Sequence, residues 1–174
     1  MIEHCELVDH PDIPRFGALG IVPSVQPEHL ALTQTFAENP YPAMLGKERA
    51  DQSFRYRSLF DAAGAIAFGS DCPVVDNNPF LGIYRAVTRL HNDGEPKGGW
   101  LPEEKFSLAE ALRAYTYGSA YADGREFELG LLKEKYFADI IVLDRNPFDT
   151  DIPEIRDTKV DNTIFDGEVV YRRI

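Results

Sequence analysis

A chain of 174 residues makes one ordinary domain or part of a larger one, and its 44% hydrophobic content, with eight tyrosines and eleven phenylalanines, specifies a packed core rather than disorder. A formal net charge of −11 argues against nucleic acid and anionic membrane surfaces as partners, because both demand clustered lysine and arginine. No apolar run approaches the ~20 residues of a bilayer span. The two cysteines, Cys5 and Cys72, cannot build a disulfide framework, which makes a reducing cytoplasm the expected compartment.

In chain order, Met1-Ile2-Glu3-His4-Cys5 reads as the end of a strand. A short helix is predicted over residues 11–19, with Phe16 and Leu19 on one face and Gly20 as its stop. Ile21 to Gln26 reads as a second strand, closed by Pro27, and Asn39-Pro40-Tyr41-Pro42 marks a loop within the aperiodic stretch 28–46. Lys47 to Ala63 is predicted helical, with Gly64 as its terminator. Residues 65–73 then form an apolar run with the pattern of a buried parallel strand, which ends in Asp71; Pro73 forbids further pairing. A helix from Pro79 to His91 precedes a Gly/Pro/Glu-rich excursion over 92–106 that carries the only tryptophan, Trp100. Ser107 and Glu110 make a capping box that opens a helix running to Tyr121. Such alternation favours βα units and a parallel sheet.

Beyond Asp123-Gly124 the texture changes. Short β-like runs at Ala138 to Leu143, Asn162 to Phe165 and Val169 to Tyr171 are separated by turn signals at Asn146-Pro147 and Asp166-Gly167. The expected organisation is therefore an α/β portion over 1–125 and a small β module over 126–174.

Chemistry concentrates at two strand ends. A carboxylate at the carboxyl end of a buried strand is costly unless a metal or a proton-transfer role compensates it. In barrels of alternating strands and helices, that end is where catalytic residues sit. Asp71 ends one such run and His4 the other, and imidazole nitrogen with carboxylate oxygen is a donor set for a divalent ion such as zinc. Taken singly, His4 also reads as a terminal histidine near solvent and Asp71 as a helix N-cap. Each cysteine directly follows one of these residues and is read as buried packing, its side chain pointing away from the site. His10 and His91 read as solvated or capping. Arg57 and Arg89 either grip a substrate carboxylate or pair with the chain's many acids. Trp100 is a lid, a substrate wall or a loop anchor, and the acid-rich stretch Asp149 to Asp161 a solvated surface.

The order of motifs is more specific than any one residue. Ile2-Glu3-His4, Ser24-Val25-Gln26-Pro27-Glu28-His29, Phe54-Arg55-Tyr56-Arg57-Ser58-Leu59 and Gly69-Ser70-Asp71-Cys72-Pro73-Val74 follow one another. After them come Ala86-Val87-Thr88-Arg89, Gly98-Gly99-Trp100-Leu101-Pro102-Glu103-Glu104, Glu110-Ala111-Leu112-Arg113-Ala114-Tyr115-Thr116 and Ala138-Asp139-Ile140-Ile141-Val142-Leu143-Asp144. Taken together the set resembles the C-terminal part of metal-dependent amidohydrolases of the amidohydrolase-3 type, the group that includes N-substituted formamide deformylases.

The resemblance implies a fold: the last part of a (β/α)8 barrel, strands six to eight, followed by a β-sandwich module that does no chemistry. It also implies roles. His4 matches the metal-binding histidine of strand six; Asp71 matches the aspartate of strand eight, which binds the metal and shuttles the proton of the attacking water. Gln26 and His29 match a strand-seven loop motif on the substrate side. The family's Gly-Lys before the Ala-Asp pair is replaced here by Glu134-Lys135-Tyr136-Phe137, a change confined to the β module. The family's remaining metal residues, a His-x-His pair, a lysine and a further histidine, match nothing in this chain and belong upstream of it.

The implied function is hydrolysis of a non-peptide carbon–nitrogen bond, amide or formamide-like, in a small molecule. The alternative is a stand-alone, non-catalytic domain. With only His4 and Asp71 as donors, the isolated chain is expected to hold no metal tightly and to hydrolyse nothing. Its open sheet edges make self-association the expectation for the fragment.

Overall fold

In the computed structural model, which describes residues 1–174, two small sheets organise the chain. The first has the order β1 (Ile2–Glu3), β2 (Pro23–Val25), β3 (Ala67–Phe68), and every pairing is parallel. Glu3 stands opposite Ser24 and Val25 opposite Phe68, so the three carboxyl ends share one rim. The ladder runs one residue further at each junction: His4 N–H donates to the Ser24 carbonyl at 2.8 Å and Gly69 N–H to the Val25 carbonyl at 3.0 Å.

Parallel neighbours need crossover connections. Between β1 and β2 lies α1 (Ile13–Ala18); between β2 and β3 lie α2 (Tyr41–Leu45), α3 (Lys47–Ala50) and α4 (Tyr56–Ala63). Helix α1 packs on α4 at Gly17, where a Cβ would meet the Ala62 carbonyl oxygen at 2.1 Å, so only glycine lets the two backbones approach. After β3, Asn78 accepts a hydrogen bond from Phe80 N–H and caps α5 (Pro79–Thr88), with Pro79 in the first turn. The predicted capping box opens α6 (Leu108–Arg113); a π turn over Ala114–Gly118 and α7 (Ser119–Ala122) continue its course. The core is built from the inner faces of these elements, with Val25, Phe54, Leu59, Phe68, Phe80 and Ile83 fully or almost fully buried.

The expected helix over 47–63 is broken in two. Phe54 is completely buried and takes a left-handed conformation, φ 52°, while its N–H donates to the Glu6 carbonyl at 2.8 Å and Ser53 bridges Leu7. Burying that ring beside the segment after β1 outweighs helical continuity, a choice that periodicity does not reveal. The helix from Pro79 likewise stops at Thr88 rather than His91, because Arg89 is left-handed at φ 56°. Of the two residues expected on one face of α1, Phe16 is buried and Leu19 is 62% exposed.

The second sheet is an antiparallel meander, β4 (Ile140–Leu143), β5 (Val160–Phe165) and β6 (Glu168–Arg172). Asp166 and Gly167 both have positive φ, 48° and 82°, as a two-residue hairpin turn requires. The module is a single three-stranded layer. Packing crosses position 125. Ile155, on a 3-10 turn over Ile152–Asp157, is buried in the main core against α5, so the acid-rich stretch is anchored rather than wholly solvated. No helix is long and apolar enough to cross a membrane.

Candidate metal centre

Three loops leave the rim of the parallel sheet and bring polar residues to the same place. His4 follows β1 directly. Gln26 follows β2 and opens a 3-10 turn, Pro27–Ala31, that carries His29. Asp71 lies three residues beyond the end of β3. His4, Cys5 and Asp71 are all in the left-handed region, at φ 68°, 50° and 59°. Non-glycine residues there cost about 1–3 kcal/mol each, a kind of strain concentrated at functional sites.

One ligand atom from each of His4, His29 and Asp71 lies within 4.8 Å of the others. Asp71 Oδ2 is 4.0 Å from His4 Nδ1 and 4.0 Å from His29 Nε2. Those gaps are too long for hydrogen bonds. The imidazoles stack loosely, centroids 6.1 Å apart. His29 is 5% exposed, and its Nε2 is buried with no hydrogen-bond partner.

The other nitrogen of His29 is held. Nδ1 donates to Glu6 Oε1 at 3.0 Å, and Glu6 Oε2 accepts from the Tyr41 hydroxyl at 2.7 Å. An ionised carboxylate can only accept, so in the neutral imidazole the proton sits on Nδ1 and the lone pair on Nε2 faces Asp71. Burial pushes the Glu6 carboxyl up, yet the hydrogen bonds from His29 and Tyr41 outweigh it and hold the group below the usual carboxylate range. Burial and the facing carboxylate push the Tyr41 phenol up, so it stays a donor. On the other side, His4 Nδ1 donates to Gln26 Oε1 at 3.0 Å and Gln26 Nε2 reaches Glu3 Oε2 at 3.4 Å.

This donor set fits a divalent ion such as zinc. Metal–ligand bonds of about 2.0–2.2 Å in tetrahedral geometry put donors about 3.4 Å apart. The separations found here are wider by roughly half an ångström to an ångström and a half, and His4 and Asp71, with side chains 53% and 39% exposed, have room to close. The buried, unpartnered Nε2 supports the same fit, since its desolvation is otherwise uncompensated.

Of the residues singled out in the sequence, His4 and Asp71 come together and Gln26 touches His4. His29 joins the same cluster. Glu6 and Tyr41 were not anticipated; the only sequence signal for Glu6 is a carboxylate two residues beyond His4 on the same segment. Cys5 is buried as expected, its thiol pushed up to about 11 by burial and by Glu3, but Cys72 is exposed because the loop after Asp71 turns outward. Trp100 anchors its loop: it packs against Phe54, Tyr41 and Phe36 in the interior. Arg89 is 2% exposed and donates to the carbonyls of Trp100 at 2.5 Å and Phe54 at 3.2 Å, not to an acid, whereas Arg57 pairs with Asp61 and Glu110. His91 is fully buried, edge-on to Phe36, where solvation or capping was expected; His10 is exposed.

The chain is 37% identical over 151 residues to the Arabidopsis thaliana protein LONG AFTER FAR-RED 3, a match covering 85% of this chain and 24% of the relative. It is 36% identical over 120 residues to an N-substituted formamide deformylase of Arthrobacter pascens, covering 69% of this chain and 22% of the relative. The crystal structure of an uncharacterized metal-dependent hydrolase from Pyrococcus horikoshii superposes with a TM-score of 0.74 at 27% identity, over 87% of this chain and 30% of that one. The chain thus spans about a quarter of the curated relatives it matches. The profile of the amidohydrolase family matches residues 1–171, and the chain belongs to that family.

Proposed function

We propose that this chain supplies barrel strands six to eight, with their helices, and part of a β-sandwich to a metal-dependent hydrolase of small molecules. The bond cleaved is a non-peptide carbon–nitrogen bond, amide or formamide-like. The observation that carries the reading is the convergence of His4 and Asp71 on one rim, from the carboxyl ends of separate parallel strands.

In this reading His4 and Asp71 hold a divalent ion, zinc being the ion their chemistry suits best. Such an ion acidifies water and polarises the substrate carbonyl. Asp71 takes the proton of the attacking water on its carboxylate. As oxygen adds to the carbonyl carbon and the carbon–nitrogen bond breaks, it returns that proton to the departing amine. Gln26 and His29 flank the pair on the substrate side, and the module over 126–174 takes no part in the chemistry.

The chain by itself is not expected to turn over, because the exposure of His4 and Asp71 leaves the site open to bulk water. A non-catalytic existence is the second reading, favoured by that same exposure. Ile2 on the outer edge of β1 and Val169, Val170 and Tyr171 on β6 are 45–61% exposed, and both sheets have unpaired outer edges, so self-association is expected. Light scattering would show oligomers; a monodisperse monomer would contradict this. The enzymatic reading is tested by joining residues 1–174 to the upstream barrel portion of the Arthrobacter pascens relative and assaying formamide hydrolysis. Asp71→Ala should abolish turnover, and an unchanged rate would overturn the role of Asp71.

A further inference from the structure

The sequence supplies two metal donors and the fold brings a third. We propose that His29 is a metal ligand, oriented by Glu6 and Tyr41 as positioning residues, so that this chain alone binds one divalent transition ion through His4, His29 and Asp71. The inference rests on the reading of His4 and Asp71 as a metal pair, and it narrows the part of His29 within the flank described above.

Three observations carry it. His29 Nε2 is buried and unpartnered, and it lies 4.0 Å from Asp71 Oδ2, beyond hydrogen-bond reach but on a path that one ion would bridge. Its Nδ1 is engaged by Glu6, whose second oxygen is occupied by Tyr41, so the carboxylate has little freedom to swing away. A carboxylate behind a histidine fixes tautomer and ring orientation and raises basicity at the nitrogen left free. At 5% exposure the ring reaches the gap beside Asp71 through its unpartnered Nε2.

Count matters as much as geometry. Two protein donors rarely retain zinc against solvent, whereas catalytic zinc sites use three. His4 contributes less freely than the other two, because its Nδ1 is bonded to Gln26 and must exchange that bond for the ion or present its other nitrogen. The site is therefore expected to bind with modest affinity, and His29 is the donor that decides whether binding is measurable.

The test is a calorimetric titration of the 174-residue chain with zinc, alongside nitrogen-15 NMR of the imidazoles without metal. One equivalent should bind. His29→Gln should weaken binding by more than the ~100-fold that a supporting residue can cost, Glu6→Gln by about 10–100-fold and Tyr41→Phe by less. In the metal-free chain, His29 should carry its proton on Nδ1, and Glu6→Gln should shift protons toward Nε2, an effect that loss of packing alone would not produce. Circular dichroism of each variant separates lost ligation from lost fold.

A His29→Gln chain that binds as well as the parent, while His4→Gln and Asp71→Asn do not, would overturn this inference and leave the His4–Asp71 pair standing. Binding unaffected by His4→Gln and Asp71→Asn would instead overturn the pair. No binding by the parent at roughly millimolar zinc, or His29 protonated on Nε2, would also overturn the inference.

Discussion

The rim of the parallel sheet and the Arg85–Glu28 cluster on α5 both enclose polar groups, and they treat them oppositely. In the interior, Arg85 is 2% exposed yet fully engaged: its guanidinium meets Glu28 at 3.1 and 3.2 Å and also reaches the Leu90 carbonyl and Asn92. At the rim, His29 has one nitrogen held and the other left without a partner, and two neighbouring residues sit in left-handed backbone. A polar cluster that closes on itself stabilises a fold; one that keeps a lone pair aimed at an open gap is arranged for a ligand.

That contrast sets the sign and size of substitutions. Glu28→Ala strands the buried Arg85 charge and should cost about 3–5 kcal/mol, read as the free energy of urea unfolding. Neutrality there would mean that solvent reaches the pair and that the interior is not closed.

A smaller effect comes from His91, fully buried with both ring nitrogens unpartnered. Burial and the nearby Arg85 hold its pKa below the ordinary 6.5, against the weaker pull of Asp93. The unfolded chain takes up a proton near 6.5 and the native chain does not, so this contribution is complete above that value and is lost as pH falls through the lowered one. The slope cannot exceed about 1.4 kcal/mol per pH unit for one proton. Unfolding free energy measured from pH 7.5 to 5 should decline more for the parent than for His91→Gln; equal slopes would contradict the assignment.

The smallest effect has the opposite sign. His4→Gly should relieve about 1–2 kcal/mol of left-handed strain while losing roughly 0.5–1 to glycine's unfolded-state freedom. The net is a slight gain in stability together with weaker metal binding. A stability loss of more than about 1 kcal/mol would mean that the His4 side chain stabilises the fold.

The sequence carried the strand ends well and the loops between them poorly. The pairing of His4 with Asp71 was legible only from the order of the motifs around them, since each residue alone also reads as a terminal or capping group. The partnership of Glu6, Tyr41 and His29 was not, since it joins the segment after β1, a 3-10 turn and the first residue of α2 across up to 35 positions, with no period to announce it. The broken helix before β3 follows the same logic: burial of Phe54 beside Glu6 set the chain's path, and only the assembled core expresses that demand. The β module shows the reverse, for Asp166-Gly167 declared its hairpin outright.

The rim formed by β1, β2 and β3 is proposed as a metal centre. Anomalous diffraction at the zinc edge, from crystals of this chain grown with zinc, addresses it most directly. One strong peak bonded to His4, His29 and Asp71 is the expected result. Zinc bound only at surface carboxylates elsewhere, with none among these three residues, would contradict it.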